Sequence, residues 1–188
     1  DADFDFTRGS SATRVNEKGL VEDVQILSGE LVQNGNFEQI GSELVTNGDF
    51  DTDSNWNKGT GWSISGGKAI ATSAPSGSRL EQFNLGQTIN RPYKITLTIS
   101  DLTEGGFGVF LGGVNKTGLS TNGTHTIYLT PTGTSQLFIF TSGTTSGSID
   151  NVSVKEVGQN WMFGTGWSMG DGKAVFDGTT SYIQQNNL

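Results

Sequence analysis

Asn55–Leu85 reads NWNKGTGWSISGGKAIATSAPSGSRLEQFNL, and Asn160–Leu188 reads NWMFGTGWSMGDGKAVFDGTTSYIQQNNL. With a two-residue gap the two stretches align end to end: Trp56 on Trp161, Gly59–Ser63 on Gly164–Ser168, and Gly67–Ala69 on Gly172–Ala174. Each copy sets short alternating runs (WSIS, WSMG) between Gly-rich turns, which is the pattern of strands and tight turns. A repeat at this spacing, roughly 105 residues, has the size of one β-sandwich domain. A complete module over residues 43–157 and the start of a second, incomplete module over 158–188 are therefore expected.

Working outward, Glu30–Ser42 (ELVQNGNFEQIGS) is followed by a shorter echo, Glu43–Ser54 (ELVTNGDFDTDS). Asn-Gly supplies the positive φ that turns require. Leu44–Val45 is read as the first strand of the complete module, and the earlier copy as a connector or an extra edge strand. Tyr93–Ser100 (YKITLTIS) and Thr124–Thr130 (THTIYLT) alternate as half-buried strands do. Trp62–Ser65, Lys68–Thr72, Arg79–Phe83, Gly106–Gly113, Gln136–Thr141 and Gly147–Val157 are further strands between Gly, Ser, Thr and Asn clusters. This strand content predicts an all-β chain built on a jelly-roll β-sandwich. Residues 1–42 are expected to form an extended N-terminal connector or docking segment, with Asp1–Phe6 as an edge strand.

Composition agrees. Glycine makes up 28 of the 188 residues, which argues against long helices because Gly weakens a helix interior by about 1 kcal/mol. The net charge of −8, with only 11 basic residues scattered along the chain, argues against nucleic acid, whose phosphates need clustered Lys and Arg. No apolar run reaches the roughly 18 residues of a membrane span. The absence of Cys excludes disulfides, thiolate metal sites and Cys nucleophiles. A single histidine, His125, lies in a strand pattern and gives a Ser-His-Asp triad little to build on, and no motif pairs two carboxylates. A non-enzymatic protein is expected.

Leu44–Trp62, Ala74–Arg79 (APSGSR) and Ile149–Val154 (IDNVSV) occur in the order and spacing of a known family. Over residues 43–157 the sequence resembles the jelly-roll carbohydrate-binding modules appended to xylanases and other glycanases. The resemblance implies a structural calcium (Ca2+) between the first and last strands. Its ligands would be the Asp51 and Asp150 side chains and the backbone carbonyls of Asp49 and Arg79. The family's further acidic ligand is Ser76 in this sequence, one hard oxygen fewer for a cation that takes six to eight. Sugar binding in such modules rests on aromatic faces helped by polar side chains. Trp62 and Trp167 sit in strand alternation and are expected in the core. Trp56 and Trp161 lie in polar loops, either exposed to a sugar or closing the sandwich end. Arg79, Glu81, Gln82 and Tyr93 are candidates for lining a groove.

Phe6–Asp23 (FTRGSSATRVNEKGLVED) resembles a motif of bacteriophage virion proteins, particularly tail-fibre and other appendage proteins in which it precedes tandem modules of this kind. The combination implies an extracellular virion protein, a tail or head fibre. It would be trimeric for multivalent capture, contacting other virion subunits and a host-surface glycan. Two alternatives stay open: a carbohydrate-binding module of a secreted or cell-surface glycanase or adhesin, and an architectural capsid or tail decoration protein.

Overall fold

The computed structural model describes residues 13–15, 18–19, 21–23, 40–158, 161–163, 166–170, 173–178 and 182–185. The chain divides into two compact units. In the first, over residues 1–33, β1 (Thr13–Val15) and β2 (Val21–Asp23) form a hairpin whose turn contains Gly19 at φ +77°. The edge strand expected at Asp1–Phe6 lies outside the described residues.

The second unit, 34–187, holds a sandwich of two antiparallel sheets, as the sequence predicts, and no helix occurs among the described residues. Its strands in chain order are β3 (Ile40–Glu43), β4 (Asn57–Lys58), β5 (Trp62–Ser65), β6 (Lys68–Ala74), β7 (Arg79–Gln82), β8 (Tyr93–Glu104), β9 (Phe107–Leu111), β10 (Val114–Leu119), β11 (Gly123–Leu129), β12 (Leu137–Thr141) and β13 (Thr145–Val157). One sheet runs β10-β9-β12-β7-β4, and the other runs β11-β8-β13-β6-β5 with β3 also paired to β13. From β6 onward the chain passes back and forth between the sheets, so sequence neighbours seldom pair. The core is therefore closed by non-local contacts.

Alternation sets which side chains enter that core. In β8, Tyr93, Ile95, Leu97 and Ile99 are buried, while Lys94, Thr96, Thr98 and Ser100 face outward and are half-buried. The buried four cluster with Leu80, Val109, Leu111, Leu137 and Ile139 of the other sheet and with Ile149 of the neighbouring strand β13. The alternation breaks at Asp101, which takes φ +56° beside an irregularity in the pairing of β8 with β13.

Three elements differ from expectation. The first sandwich strand is Ile40–Glu43, paired as Lys155↔Glu43 and Val157↔Ile40, so the sandwich begins three residues before position 43. Leu44 continues it, its N–H shared between the Val154 carbonyl (3.0 Å) and Glu43 Oε1 (3.1 Å). Gly112-Gly113 turns the expected Gly106–Gly113 strand back on itself, and the polar run Val114–Leu119 becomes β10. It is an edge strand with four of its six residues exposed, so hydrophobic alternation could not reveal it. Asn57–Lys58, expected as loop, pairs with β7 because Gly59 N–H reaches the Arg79 carbonyl (2.7 Å).

After β13 come β14 (Trp161–Phe163), β15 (Trp167–Gly170), β16 (Lys173–Phe176) and β17 (Ile183–Gln185), paired as β14·β17 and β15·β16. Phe163 and Met169 are buried with Val157, and Tyr128, Trp161, Trp167, Ala174 and Ile183 pack around them.

Candidate functional site

Four of the six side chains proposed for a sugar groove, Trp56, Trp161, Gln82 and Tyr93, prove to be structural. Trp56 is buried, its Nε1–H donates to the Asn47 carbonyl (2.9 Å) and its ring packs on Phe50 (5.3 Å between centroids), so no face remains for a sugar. Of the two readings of Trp56, closure of the sandwich end is the one that holds. Phe50 has φ +54°, a conformation that costs an aromatic residue about 1–3 kcal/mol, and the buried Trp56 contact offsets it. Gln82 is buried and straps the loop before Asn47: it accepts from Thr46 N–H (2.9 Å) and donates to the Thr46 and Asn55 carbonyls (2.8 and 3.3 Å). Tyr93 is buried, its hydroxyl accepts from Thr88 N–H (2.8 Å), and burial pushes the phenol above its usual pKa. Trp161 is half-buried in the cluster around Phe163. Trp62 lies in the core as expected, 5.7 Å from Phe107.

Arg79 and Glu81 are the exceptions. The Arg79 side chain is exposed on the outer face of the five-stranded sheet, with the guanidinium 4.3 Å from the centroid of the Phe138 ring and 3.5 Å from Glu81. Phe138 stacks on Phe110 at 4.3 Å with an 8° interplanar angle, and Phe140 meets Phe138 edge-on at 5.9 Å. Register explains the arrangement, since residues directly opposite in a ladder share a face. The pairs Asn115↔Phe110, Phe110↔Phe138, Phe138↔Glu81 and Glu81↔Asn57 form one continuous row across all five strands. Four interstrand gaps make it roughly 19 Å long. A second row runs Gly108–Phe140–Arg79. Gly108 is required there: a Cβ would lie 2.3 Å from the Phe140 ring, which therefore lies flat across β9.

Two hollows flank Arg79. One, of about 310 Å³, is lined by Gly77, Arg79, Phe110, Asn115, Phe138 and Phe140. The other, of about 470 Å³, is lined by Asn57, Lys58 and Glu81 together with the Pro75–Ser78 turn. Both lie in the size range of ligand sites, roughly 300–1,000 Å³. Lys58 pairs with Asp53 and Arg79 with Glu81, so the charges on this face are balanced.

Phe110, Phe138 and Phe140 carry a signal in the sequence as well. An antiparallel strand solvated on one face alternates apolar with polar. Phe107–Leu111 and Leu137–Thr141 instead carry aromatics on their outward positions.

The residues that the resemblance assigns to calcium are divided. Gly48 O accepts from Val152 N–H (2.8 Å), so the Asn47–Phe50 turn and the last strand lie side by side, as the resemblance implies. Asp49's carbonyl faces Gly67, at the end of β6 whose residue Ala69 pairs with Ile149, next to Asp150. Arg79 and Ser76 follow the opposite end of β6. Its seven residues span roughly 20 Å. The Arg79 carbonyl accepts from Gly59, and Asp150 Oδ1 accepts from Asn151 N–H (2.6 Å). Asp51 is exposed in the loop after Phe50. Among the described residues no three of His, Cys, Asp and Glu converge on one point. Asp49 and Asp150 thus lie toward one end of β6, and Arg79 and Ser76 toward the other.

The outer face of the six-stranded sheet holds a polar cluster instead. Lys68 Nζ donates to Ser100 Oγ (3.1 Å) and Asp101 Oδ2 (3.2 Å), and Ser148 Oγ donates to Asp101 Oδ2 (3.0 Å). Lys68, then Ser148, hold the Asp101 carboxyl below its usual pKa. His125 Nε2 donates to the Thr121 carbonyl (2.8 Å).

No family model matches the chain, and no curated protein matches it.

Proposed function

We propose that the outer face of the five-stranded sheet is a glycan-binding platform of a non-enzymatic virion appendage protein, a tail or head fibre. The observation that carries the binding site is the register-aligned row Asn115–Phe110–Phe138–Glu81–Asn57 with Arg79 beside it. Phe138 is buried against Phe110 and Arg79, so the half-buried rings of Phe110 and Phe140 are the aromatic surface offered to the C–H faces of sugar rings, and the amide, carboxylate and guanidinium groups along the row supply hydroxyl partners. Net neutrality of the face fits an uncharged or weakly charged saccharide. The virion setting is supported by the resemblance at Phe6–Asp23, and trimeric assembly would add avidity to weak single-site contacts. The chemistry proposed for the face is binding without cleavage.

The test is a screen of the full chain against bacterial surface polysaccharides, followed by titration of any ligand found. Phe110→Ala and Arg79→Ala are expected to weaken binding at least about tenfold, in the range of an interface hot spot, with the circular dichroism unchanged. Binding that survives both substitutions would remove the platform from consideration. Absence of binding to any glycan, with retention of other virion subunits on the same face, would favour the architectural role.

A further inference from the structure

The second copy of the repeat folds into the same two hairpins as the first. Trp62↔Ala71, Ser63↔Ile70 and Ile64↔Ala69 recur as Trp167↔Phe176, Ser168↔Val175 and Met169↔Ala174. Asn57↔Glu81 and Lys58↔Leu80 recur as Met162↔Gln184 and Phe163↔Ile183, the two-residue gap falling between the hairpin strands. The bond from Thr72 N–H to the Gly61 carbonyl (2.9 Å) recurs from Asp177 to Gly166 (2.8 Å). Backbone geometry is thus repeated, not only sequence.

The copies differ along one edge. In the first, β6 carries β13 on the side away from β5, with Gly147↔Ala71, Ser148↔Ile70 and Ile149↔Ala69. Among the described residues β16 pairs with β15 alone. The positions equivalent to Ala71, Ile70 and Ala69 are Phe176, Val175 and Ala174, and Phe176 and Val175 are 45% and 50% exposed. An apolar strand edge with its N–H and C=O groups unpaired is a template for a further strand.

We propose that this edge of β16 is a strand-acceptor site, and that its occupant is an antiparallel strand of the β13 type, with Gly, Ser and Ile set opposite Phe176, Val175 and Ala174. The first module shows the fit, because the same hairpin already binds such a strand in that register. Phe176 stacks on its register partner Trp167 in β15 (5.0 Å between centroids), so its ring leans away from the edge that the glycine would occupy. The isoleucine would join the apolar cluster on which Ala174 packs. Main-chain bonds supply affinity in this mode of recognition, and alternate side chains supply selectivity. The inference rests on the repeat and its registers, and stands or falls apart from the glycan platform.

The probe is a labelled peptide, TSGSIDNVSVKEV, corresponding to Thr145–Val157 and added to the full chain. Saturable binding is expected, with slowed amide exchange at Lys173–Phe176. The same peptide with proline at the position of Ile149 should bind at least about tenfold more weakly, because proline removes a ladder donor. No saturable binding, equal binding of the proline peptide, or binding without protection of Lys173–Phe176 would each overturn the proposal. Peptide binding that weakens as chain concentration rises would place a second copy on the edge and overturn it as well.

Discussion

The Glu43 carboxylate sits where the first and last strands of the sandwich meet. Its Oε1 accepts from the N–H groups of Leu44 (3.1 Å), Val45 (3.0 Å) and Val154 (2.8 Å), and its Oε2 accepts from Ser153 Oγ (2.5 Å). The resemblance assigns a joining role to calcium, and the Glu43 side chain also joins these strands. Hydrogen bonds to a charged acceptor contribute about 1.5–3 kcal/mol each, less where water competes. Glu43→Ala is accordingly expected to lower stability by about 2–4 kcal/mol in denaturant unfolding. Added calcium should leave the wild-type melting temperature unchanged and should not rescue the variant. A calcium-dependent rise that Asp150→Asn abolishes would instead show that Asp51 and Asp150 recruit a cation. Glu43 was visible in the sequence as the start of the second ELV run. Its role was not, because its partners Ser153 and Val154 are about 110 residues away.

At the scale of elements, β9 and β12 decide the outer face. Both read as apolar runs, and apolar runs show that a strand is buried without showing which side each residue takes. Pairing settles it: Val109↔Ile139 points into the core, and Phe110↔Phe138 points out. Gly108 keeps β9 flat enough for Phe140 to cross it. The nearest atoms to a new Cβ belong to the tip of the half-exposed Phe140 ring, which can swing aside. Gly108→Ala should thus cost at most about 1 kcal/mol of stability, near the low end of overpacking penalties, yet disrupt the platform. The check is a pair of measurements on one variant, with saccharide affinity lost while the melting temperature holds. Loss of stability without loss of affinity would show that Phe140 serves packing alone.

For the whole molecule, closure depends on contacts distant in sequence, and Tyr93 marks one such closure. It pairs with Leu129 of β11 and Glu156 of β13, and its buried hydroxyl receives the Thr88 N–H. Burial raises its folded pKa above the ordinary value near 10. Below that value the folded and unfolded chains both hold the proton. As pH rises through it the unfolded chain loses the proton first, and stability falls until the folded pKa is passed. A melting temperature that drops from about pH 10 upward is expected, and Tyr93→Phe should flatten that component while lowering stability at neutral pH by leaving the Thr88 N–H unpaired. An identical alkaline slope in the variant would assign it to other groups.

By itself the sequence determined the class of fold, the core strands and the repeat, because these depend on local quantities: alternation, turn residues and glycine content. It placed Trp62, Tyr93–Ser100 and the Gly147–Val157 strand correctly for the same reason. Tertiary structure alone decided which aromatics remain on the surface. Trp56 stood in a polar loop, yet the Asn47 carbonyl and Phe50 close over it, whereas Phe110 and Phe140 stood in apolar runs and stay half-buried on an outer face, with Phe138 buried against both. Burial is a property of the neighbours that a fold brings together, and those neighbours come from strands far apart along the chain.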